Sequence, residues 1–424
     1  MSNSITPSFL PSIKHDSRPI RIFISTGEVS GDLQGSLIIQ ALHRQAAGLG
    51  LNLEILALGG DRMAAAGATL LGHTSAVGSI GILESIPYIL PTLKIQRQAK
   101  QYLKHHPPDL VVLIDYVSPN VAFCNYLSKQ MPDVPLVYYI APQEWVWALN
   151  SYNTNRIIAT TERVLAIFPE EANYFRRQGA RVSWVGHPLV DRMETAPSRE
   201  QARAALGISP DQKAVVLLPA SRQQELKYLL PVMFEAARQI QAKLPEVHFW
   251  IPLALEKYRQ QIEQAIQKYG LRATVLADSV PTSEPGYVGA SLSMQALAAA
   301  DLAITKSGTV NLEIALLNVP QVVLYKVNSA TAWILSNLLK FSVPFVSPPN
   351  LVEMKPIVPE FLQDEATPDN LIRASLELLL NPQERQTMLD GYAAMRRAIG
   401  EPGVCDRAAQ EILHLLQTRQ QKHQ

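Results

Sequence analysis

Short runs of aliphatic and β-branched residues, apolar almost without interruption, recur along this chain and are separated each time by longer amphipathic stretches. A strand that is apolar on both faces must be covered on both faces, and strand–helix alternation achieves this around a parallel sheet. Arg21-Ile-Phe-Ile-Ser-Thr26 opens the pattern, and the run 53–58 stops at Gly59-Gly60. Runs at 110–114, 136–140, 164–168 and 182–185 follow. The same grammar restarts at 214–218, passes through a helix over about 225–243 to a strand at 247–251, and continues with strands at 302–305 and 321–325. Two parallel sheets are predicted, each with its own helices.

Proline and glycine mark the divisions. Pro188, Pro197 and Pro210 punctuate a polar stretch, and Gly400-Glu-Pro-Gly403 interrupts helical periodicity that fills about 369–420. The expected organisation is a disordered lead-in over 1–19, a first α/β domain over 20–195, a second over 196–398, and a closing helix over 399–424. Two doubly wound domains facing one another leave a cleft between the carboxyl ends of their strands, where such folds bind ligands.

Composition narrows the function classes. Lys plus Arg number 38 against 37 Asp plus Glu, which gives no field able to hold a nucleic-acid backbone. Cys124 and Cys405 are the two cysteines, far apart and outside any metal-ligand spacing, as expected of a reducing compartment without disulfides or zinc. Residues 1–19 lack the apolar core of a signal peptide. No uncharged apolar run reaches the ~18 residues of a membrane span. A cytoplasmic protein is expected, at most peripheral to a membrane, with no metal and no cofactor.

Four segments carry candidate chemistry. Gly27-Glu-Val-Ser-Gly-Asp-Leu-Gln-Gly35 follows the first strand, and its glycines permit a tight turn and close backbone approach. It matches neither a dinucleotide fingerprint nor a Walker loop. It is either a ligand loop or a structural turn with Asp32 as a cap. Asp115 ends an apolar strand, where a carboxylate either accepts a proton from an attacking hydroxyl or bonds nearby backbone amides. Pro219-Ala-Ser-Arg222 places a guanidinium fork after the first strand of the second domain, suited to phosphate oxygens or simply to the surface. Lys306-Ser-Gly-Thr309-Val-Asn-Leu-Glu313 gives the strongest nucleotide signal: small residues admit a diphosphate, and Glu313 lies one helical turn beyond Thr309, placed to take ribose hydroxyls. A plain Thr cap with an acidic first turn fits the same letters.

Two apolar segments, 80–90 and 333–339, are followed by basic residues: Lys94, Arg97, Lys100 and Lys104 after the first, Lys340 after the second. Each is either a surface that meets acyl chains and an anionic membrane, or an ordinary core-facing helix. His187, in Val185-Gly-His-Pro188, falls at the expected hinge and reads as structural.

Taken in order, these segments resemble the lipid-A-disaccharide synthase family over about residues 20–415. The resemblance rests on Gly27-Glu28-Val-Ser30-Gly31-Asp32, Gly59-Gly-Asp-Arg-Met63, Gly81 with Glu84, and Asp115 with Asn120. It continues through Pro142 with Trp145-Val-Trp147, Phe168-Pro-Glu170, Val185-Gly-His-Pro188, Leu218-Pro-Ala-Ser-Arg222 and Ser307-Gly308-Thr309 with Glu313. Tyr325-Lys326, Pro349-Asn350-Leu351 and Val358-Pro-Glu360 with Gln363 complete it. Single motifs of this length are weak, but a dozen in register are specific.

The resemblance implies an α/β GT-B fold, two Rossmann-like doubly wound parallel-sheet domains about a central cleft. It also implies a metal-independent, inverting transfer in lipid A and lipopolysaccharide biosynthesis, at the inner face of a membrane. The donor would be UDP-2,3-diacylglucosamine, the acceptor 2,3-diacylglucosamine 1-phosphate, and the products a β-1,6-linked disaccharide and UDP. On this resemblance Asp115 is the general base and Arg222 stabilises the leaving phosphate. Ser307, Gly308, Thr309 and Glu313 hold UDP. Gly27, Glu28, Ser30, Gly31, Asp32, Asn120, Asn350, Glu360 and Gln363 complete the substrate site.

The sequence also departs from the family pattern. The usual Asp-Ala-Pro-Asp-Phe-Asn is Asp115-Tyr-Val-Ser-Pro-Asn120, Gln143-Glu144 replaces a Ser-Val pair, and the basic run after the tryptophans is reduced to Arg156. Glu353-Met-Lys355 stands for Ala-Gly-Arg, Lys306 for a small residue, and 279–293 reads as an inserted loop. Two other enzyme readings share the architecture: a UDP-sugar 2-epimerase and a transferase with a different lipid-linked acceptor. A non-catalytic nucleotide or lipid binder would not need Asp115, Arg222 and Glu313 together. Oligomeric state is not legible.

Overall fold

The computed structural model describes residues 18–74, 82–146, 151–219, 223–253, 255–277, 291–328 and 345–422. The apolar runs form strands, and every strand pairing is parallel. The first sheet holds β1 (Ile20–Ser25), β2 (Leu53–Gly59), β3 (Thr69–His73), β4 (Leu110–Ile114), β5 (Leu136–Tyr139), β6 (Arg163–Ala166) and β7 (Val182–Trp184), in the order β3-β2-β1-β4-β5-β6-β7. The second holds β8 (Lys213–Leu218), β9 (Val247–Pro252), β10 (Ala273–Leu276), β11 (Leu302–Lys306), β12 (Gln321–Tyr325) and β13 (Glu360–Leu362), in the order β10-β9-β8-β11-β12-β13. The order reverses at β1/β4 in one sheet and at β8/β11 in the other. Crevices open at such reversals, outside the carboxyl ends of the strands.

Strand alternation explains the layering. In β4, Leu110, Val112 and Ile114 face one apolar cluster while Val111 and Leu113 face another, and all five are buried. Likewise Val215 and Leu217 of β8 point to one layer, and Ala214 and Val216 to the opposite one. One cluster is continuous between the halves, joining Ile22 and Ile114 to Val215 and Ile304 through Val185, Leu189 and Ile412.

The chain crosses between the halves at two adjacent places. It leaves the first sheet through Val185-Gly-His-Pro188, where Gly186 has φ +91° and an added Cβ would lie 2.9 Å from the Ile399 carbonyl oxygen. His187 donates its backbone N–H to that same oxygen at 2.8 Å. The return follows the helix Pro382–Ile399, and the last helix, Val404–Lys422, packs back on the first helix, Glu28–Gly48. Arg44–Asp406 (2.9 Å), Arg163–Glu411 (3.1 Å) and Arg419–Glu162 ion pairs fix it there.

Asp191 caps the returning helix from the other crossing. Its carboxylate accepts from the N–H groups of Gly403 (2.7 Å), Val404 (2.9 Å) and Cys405 (2.7 Å). Asp191→Ala should weaken docking of this helix by about 2 kcal/mol. Hydrogen exchange at the Gly403–Cys405 amides should then quicken by roughly thirtyfold. Unchanged exchange would show that the carboxylate does not hold the helix.

Candidate active site

Asp115 and Tyr116 follow β4 at the reversal point, both in left-handed backbone, with φ 44° and 51°. For residues with a Cβ this costs on the order of 1–2 kcal/mol each, so the surroundings must impose it. They do. Fully buried Asn120 donates its side-chain N–H groups to the carbonyls of Ser25 (3.2 Å), Ile114 (3.0 Å) and Asp115 (2.8 Å), and accepts from Ser25 Oγ (2.8 Å). The Tyr138 hydroxyl donates to the Asp115 carbonyl at 2.8 Å, and the Asp115 N–H donates to the Ile140 carbonyl at 3.0 Å. The Asp115 backbone is thus held by Asn120 of the following helix and by the end of β5, while the residue itself is exposed.

Gly27 sits opposite. A Cβ there would come within 2.4 Å of the Tyr116 ring, so only glycine lets that ring close over the loop. Gly31 and Gly35 are equally tight, against Thr26 and Met63. Asp32 is buried, and its carboxylate accepts from the backbone N–H groups of Gly60 (2.8 Å), Arg62 (3.2 Å) and Met63 (3.1 Å). It therefore caps the short helix Asp61–Ala65 and not its own helix. Glu28 opens the helix and Ser30 is half-buried in its first turn.

The second half contributes the loop after β11. The Gly308 N–H donates to Asn311 Oδ1 at 2.7 Å, and Ser307 Oγ donates to the Val346 carbonyl at 2.6 Å. Thr309 caps the helix Val310–Leu316 by backbone position, without a side-chain bond to it. Burial pushes the Glu313 carboxyl above its ordinary range, while the charges of Arg192 and Arg62 pull it back. Arg192 makes a direct, short hydrogen bond to Glu313. Arg62 follows β2, so the carboxyl edge of the first sheet faces that of the second across Glu313.

Asn350 and Glu360 form one staple. Asn350 Oδ1 accepts from the N–H groups of Ile357 (2.7 Å) and Val358 (2.8 Å), and its Nδ2 donates to Glu360 Oε2 (3.0 Å). Glu360 accepts further from the N–H groups of Val346 and Ser347, both at 3.0 Å, and from Ser347 Oγ at 2.6 Å. Gln363 lies just beyond β13 with φ 47°. These residues shape the segment that Ser307 grips.

Of the departures, Ser118, Gln143 and Lys355 are exposed, and Lys306 pairs with Glu225. Arg222, Gly81, Trp147, most of 279–293 and all of 333–340 lie outside the described residues.

His187 is buried and neutral, its pKa driven down to about 3 by desolvation, and its Nδ1 accepts from the Leu189 N–H at 3.2 Å. It supports the crossing, as its place in the sequence suggested. Residues that sequence reasoning missed are Arg192, Arg62, Asn311, Glu225 and Ser347. Arg192 and Glu313 stand 121 positions apart, so no local pattern joins them. Among the described residues, no three His, Cys, Asp or Glu side chains group in a way that could hold a metal ion.

Two facing parallel-sheet domains with this strand order make the GT-B fold. A UDP-GlcNAc 2-epimerase from Neisseria meningitidis, solved with UDP-GlcNAc bound, superimposes with a TM-score of 0.57 at 13% identity, covering 94% of this chain and 100% of that one. WaaG, a glycosyltransferase involved in lipopolysaccharide biosynthesis, does so with a TM-score of 0.53 at 14% identity, covering 93% and 99%. The sequence is more specific. The family model for lipid-A-disaccharide synthetase matches residues 22–414. Lipid-A-disaccharide synthase of Gloeothece citriformis is 59% identical over 93% of this chain and 99% of its own length. That of Geobacter sulfurreducens is 33% identical over 93% and 97%. The chain belongs to the lipid-A-disaccharide synthetase family. It is a glycosyltransferase that forms the lipid A disaccharide from a UDP-sugar and a lipid-linked sugar.

The clamp on the Asp115 turn yields a stability test. Asn120→Ala strips three carbonyls of their donor and should cost about 2–3 kcal/mol, whereas Tyr138→Phe removes one hydrogen bond and should cost about 1 kcal/mol. Chemical denaturation monitored in the first domain measures both. Equal, small effects would mean that the left-handed turn is held by something else.

Proposed function

We propose that this enzyme condenses UDP-2,3-diacylglucosamine with 2,3-diacylglucosamine 1-phosphate, inverting the donor's anomeric carbon to form a β-1,6 linkage and release UDP. The observation that carries this reading is Asp115, clamped at one reversal point and exposed, opposite the half that carries Ser307, Gly308, Thr309 and Glu313. Asp115 takes the proton from the acceptor 6-hydroxyl as that oxygen attacks the anomeric carbon, and the bond to the UDP β-phosphate oxygen breaks on the opposite face. Ser307, Gly308 and Thr309 receive the diphosphate, Glu313 the ribose hydroxyls, and Arg222 the charge that gathers on the departing phosphate. Gly27, Gly31 and Ser30 border the acceptor side. Asp32, Asn120, Asn350 and Glu360 serve substrate indirectly, by fixing loops.

Membrane placement belongs to the same reading. No described helix is long and apolar enough to cross a membrane. Leu90, Leu93, Lys94 and Arg97 lie at i, i+3, i+4 and i+7 of the helix Ile82–His105, hence on one face, and all are exposed, Leu90 at 76%. An apolar strip running into basic residues suits an anionic lipid surface, which supports a peripheral position at the inner leaflet where acylated sugars reside. Nucleic acid has no role in this scheme.

The test is UDP release by purified protein from UDP-2,3-diacylglucosamine, with and without the acceptor. Acceptor-dependent release with an acylated disaccharide as product supports the assignment. Release without acceptor, accompanied by a 2-epimeric sugar, would favour the epimerase reading. Asp115→Asn should lower turnover by ~10²–10⁴ at saturating substrates, and near-normal turnover would remove Asp115 as the base. Glu313→Ala should chiefly weaken UDP binding, about tenfold or more, as titration calorimetry would report. An unchanged UDP affinity would remove Glu313 from the ribose site.

A further inference from the structure

Lys306 is the last residue of β11, and its side chain is 15% exposed. Its ammonium lies 3.3 Å from Glu225 Oε1, and the Glu225 side chain is 9% exposed. Glu225 stands in the first turn of the helix Gln223–Lys243, which follows β8. The pair therefore spans β8 and β11, the two strands at which the second sheet reverses its order. The same ammonium is 3.5 Å from the Ser307 carbonyl oxygen and would stand 3.2 Å from a Cβ added to Gly308. A buried charge pair is a poor way to stabilise a fold, because apolar side chains of similar volume do as well or better. Here the cation is held against the loop that the nucleotide is to occupy.

We propose that Lys306 is a further binding residue for the donor's diphosphate, kept in place by Glu225 and engaged by phosphate oxygens when the nucleotide enters. This rests on the reading that residues 307–309 receive the diphosphate. An ammonium carries three N–H donors and acts on phosphate as a compact point charge, so it can serve Glu225 and a phosphate oxygen together. It also screens Glu225, which would otherwise repel the anion from this crevice.

The experiment compares UDP and uridine binding by calorimetry in wild type, Lys306→Met, Glu225→Gln and the double variant. Lys306→Met should weaken UDP by about 10- to 100-fold, the range of one charge-assisted contact, and leave uridine within about twofold. The double variant should remain equally weak for UDP. Recovery of UDP affinity in the double variant would show that Lys306 merely neutralises Glu225, overturning the proposal. An equal loss for uridine and UDP would also overturn it, since the effect would not be on phosphate. If wild type itself bound UDP no better than uridine, the diphosphate reading of residues 307–309 would fall, and this proposal with it. If wild type prefers UDP and Lys306→Met keeps that preference, the proposal falls alone.

Discussion

Everything at the cleft depends on how the two crossings between the halves are locked to one another. Arg407 donates from Nε (3.1 Å) and Nη2 (3.0 Å) to the Val185 carbonyl on the outgoing strand of chain. It donates at 2.7 Å to the carbonyls of both Pro402 and Glu401 on the returning one. Asp191 supplies the complementary anion at the start of the same helix. A guanidinium and a carboxylate, each saturated with backbone partners, join two chain segments that would otherwise swivel independently. With one crossing the sheets could face anywhere; with two stapled side by side, their carboxyl edges are directed toward each other. Arg192 follows Asp191 directly, so the turn that caps the returning helix also delivers the partner of Glu313.

The charges at the cleft obey a common rule. In the second half, two described ionised side chains at the reversal point have a counter-charge: Glu313 has Arg192, and Lys306 has Glu225. Burial alone would push Glu313 toward its neutral form, in which its carboxyl is a weaker hydrogen-bond acceptor. The neighbouring guanidinium counters that tendency before any ligand arrives. The first half differs. Asp115 is exposed, and its backbone is fixed by hydrogen bonds from the Asn120 side chain and the Tyr138 hydroxyl.

Strands buried on both faces were legible because nothing but apolar residues satisfies them: the run 110–114 matches β4 residue for residue. β3, β10 and β13 were not, and they share a cause. Each is a short strand at or beside the rim of its sheet, and most of their residues are only half-buried, so the letters Thr-Leu-Leu-Gly-His, Ala-Thr-Val-Leu and Glu-Phe-Leu carry no uninterrupted apolar signal. The helical stretch after 368 hid a second break, where Asn381 caps the helix Pro382–Ile399 through a bond from the Gln383 N–H at 3.0 Å. Candidate site residues stood out when they directly follow an apolar strand, as Asp115 and Ser307 do. What Asp32, Asn120, Asn350 and Glu360 contribute was not, because their role lies in which amides and carbonyls they reach. Those partners are fixed by the tertiary fold: Asp32 reaches residues 28 to 31 positions away, and Asn120 one that is 95 positions away.

Two of the departures from the family pattern make physical sense once their neighbours are known. Tyr116 stands where a small residue is usual, in a left-handed turn beside the loop that follows β1. Its ring is accommodated because Gly27 has no Cβ, and its hydroxyl lies 3.5 Å from Thr92 Oγ1 on the helix that carries Leu90 and Leu93. Lys306 also replaces a small residue, and its charge is accommodated because Glu225 lies across the strand gap. In each case the larger side chain meets a partner from a neighbouring loop or helix and leaves the backbone path of the motif intact. A substitution of this kind preserves the fold of the loop while altering what the loop presents: an aromatic wall beside Asp115 in one half, a cation beside Ser307 and Gly308 in the other.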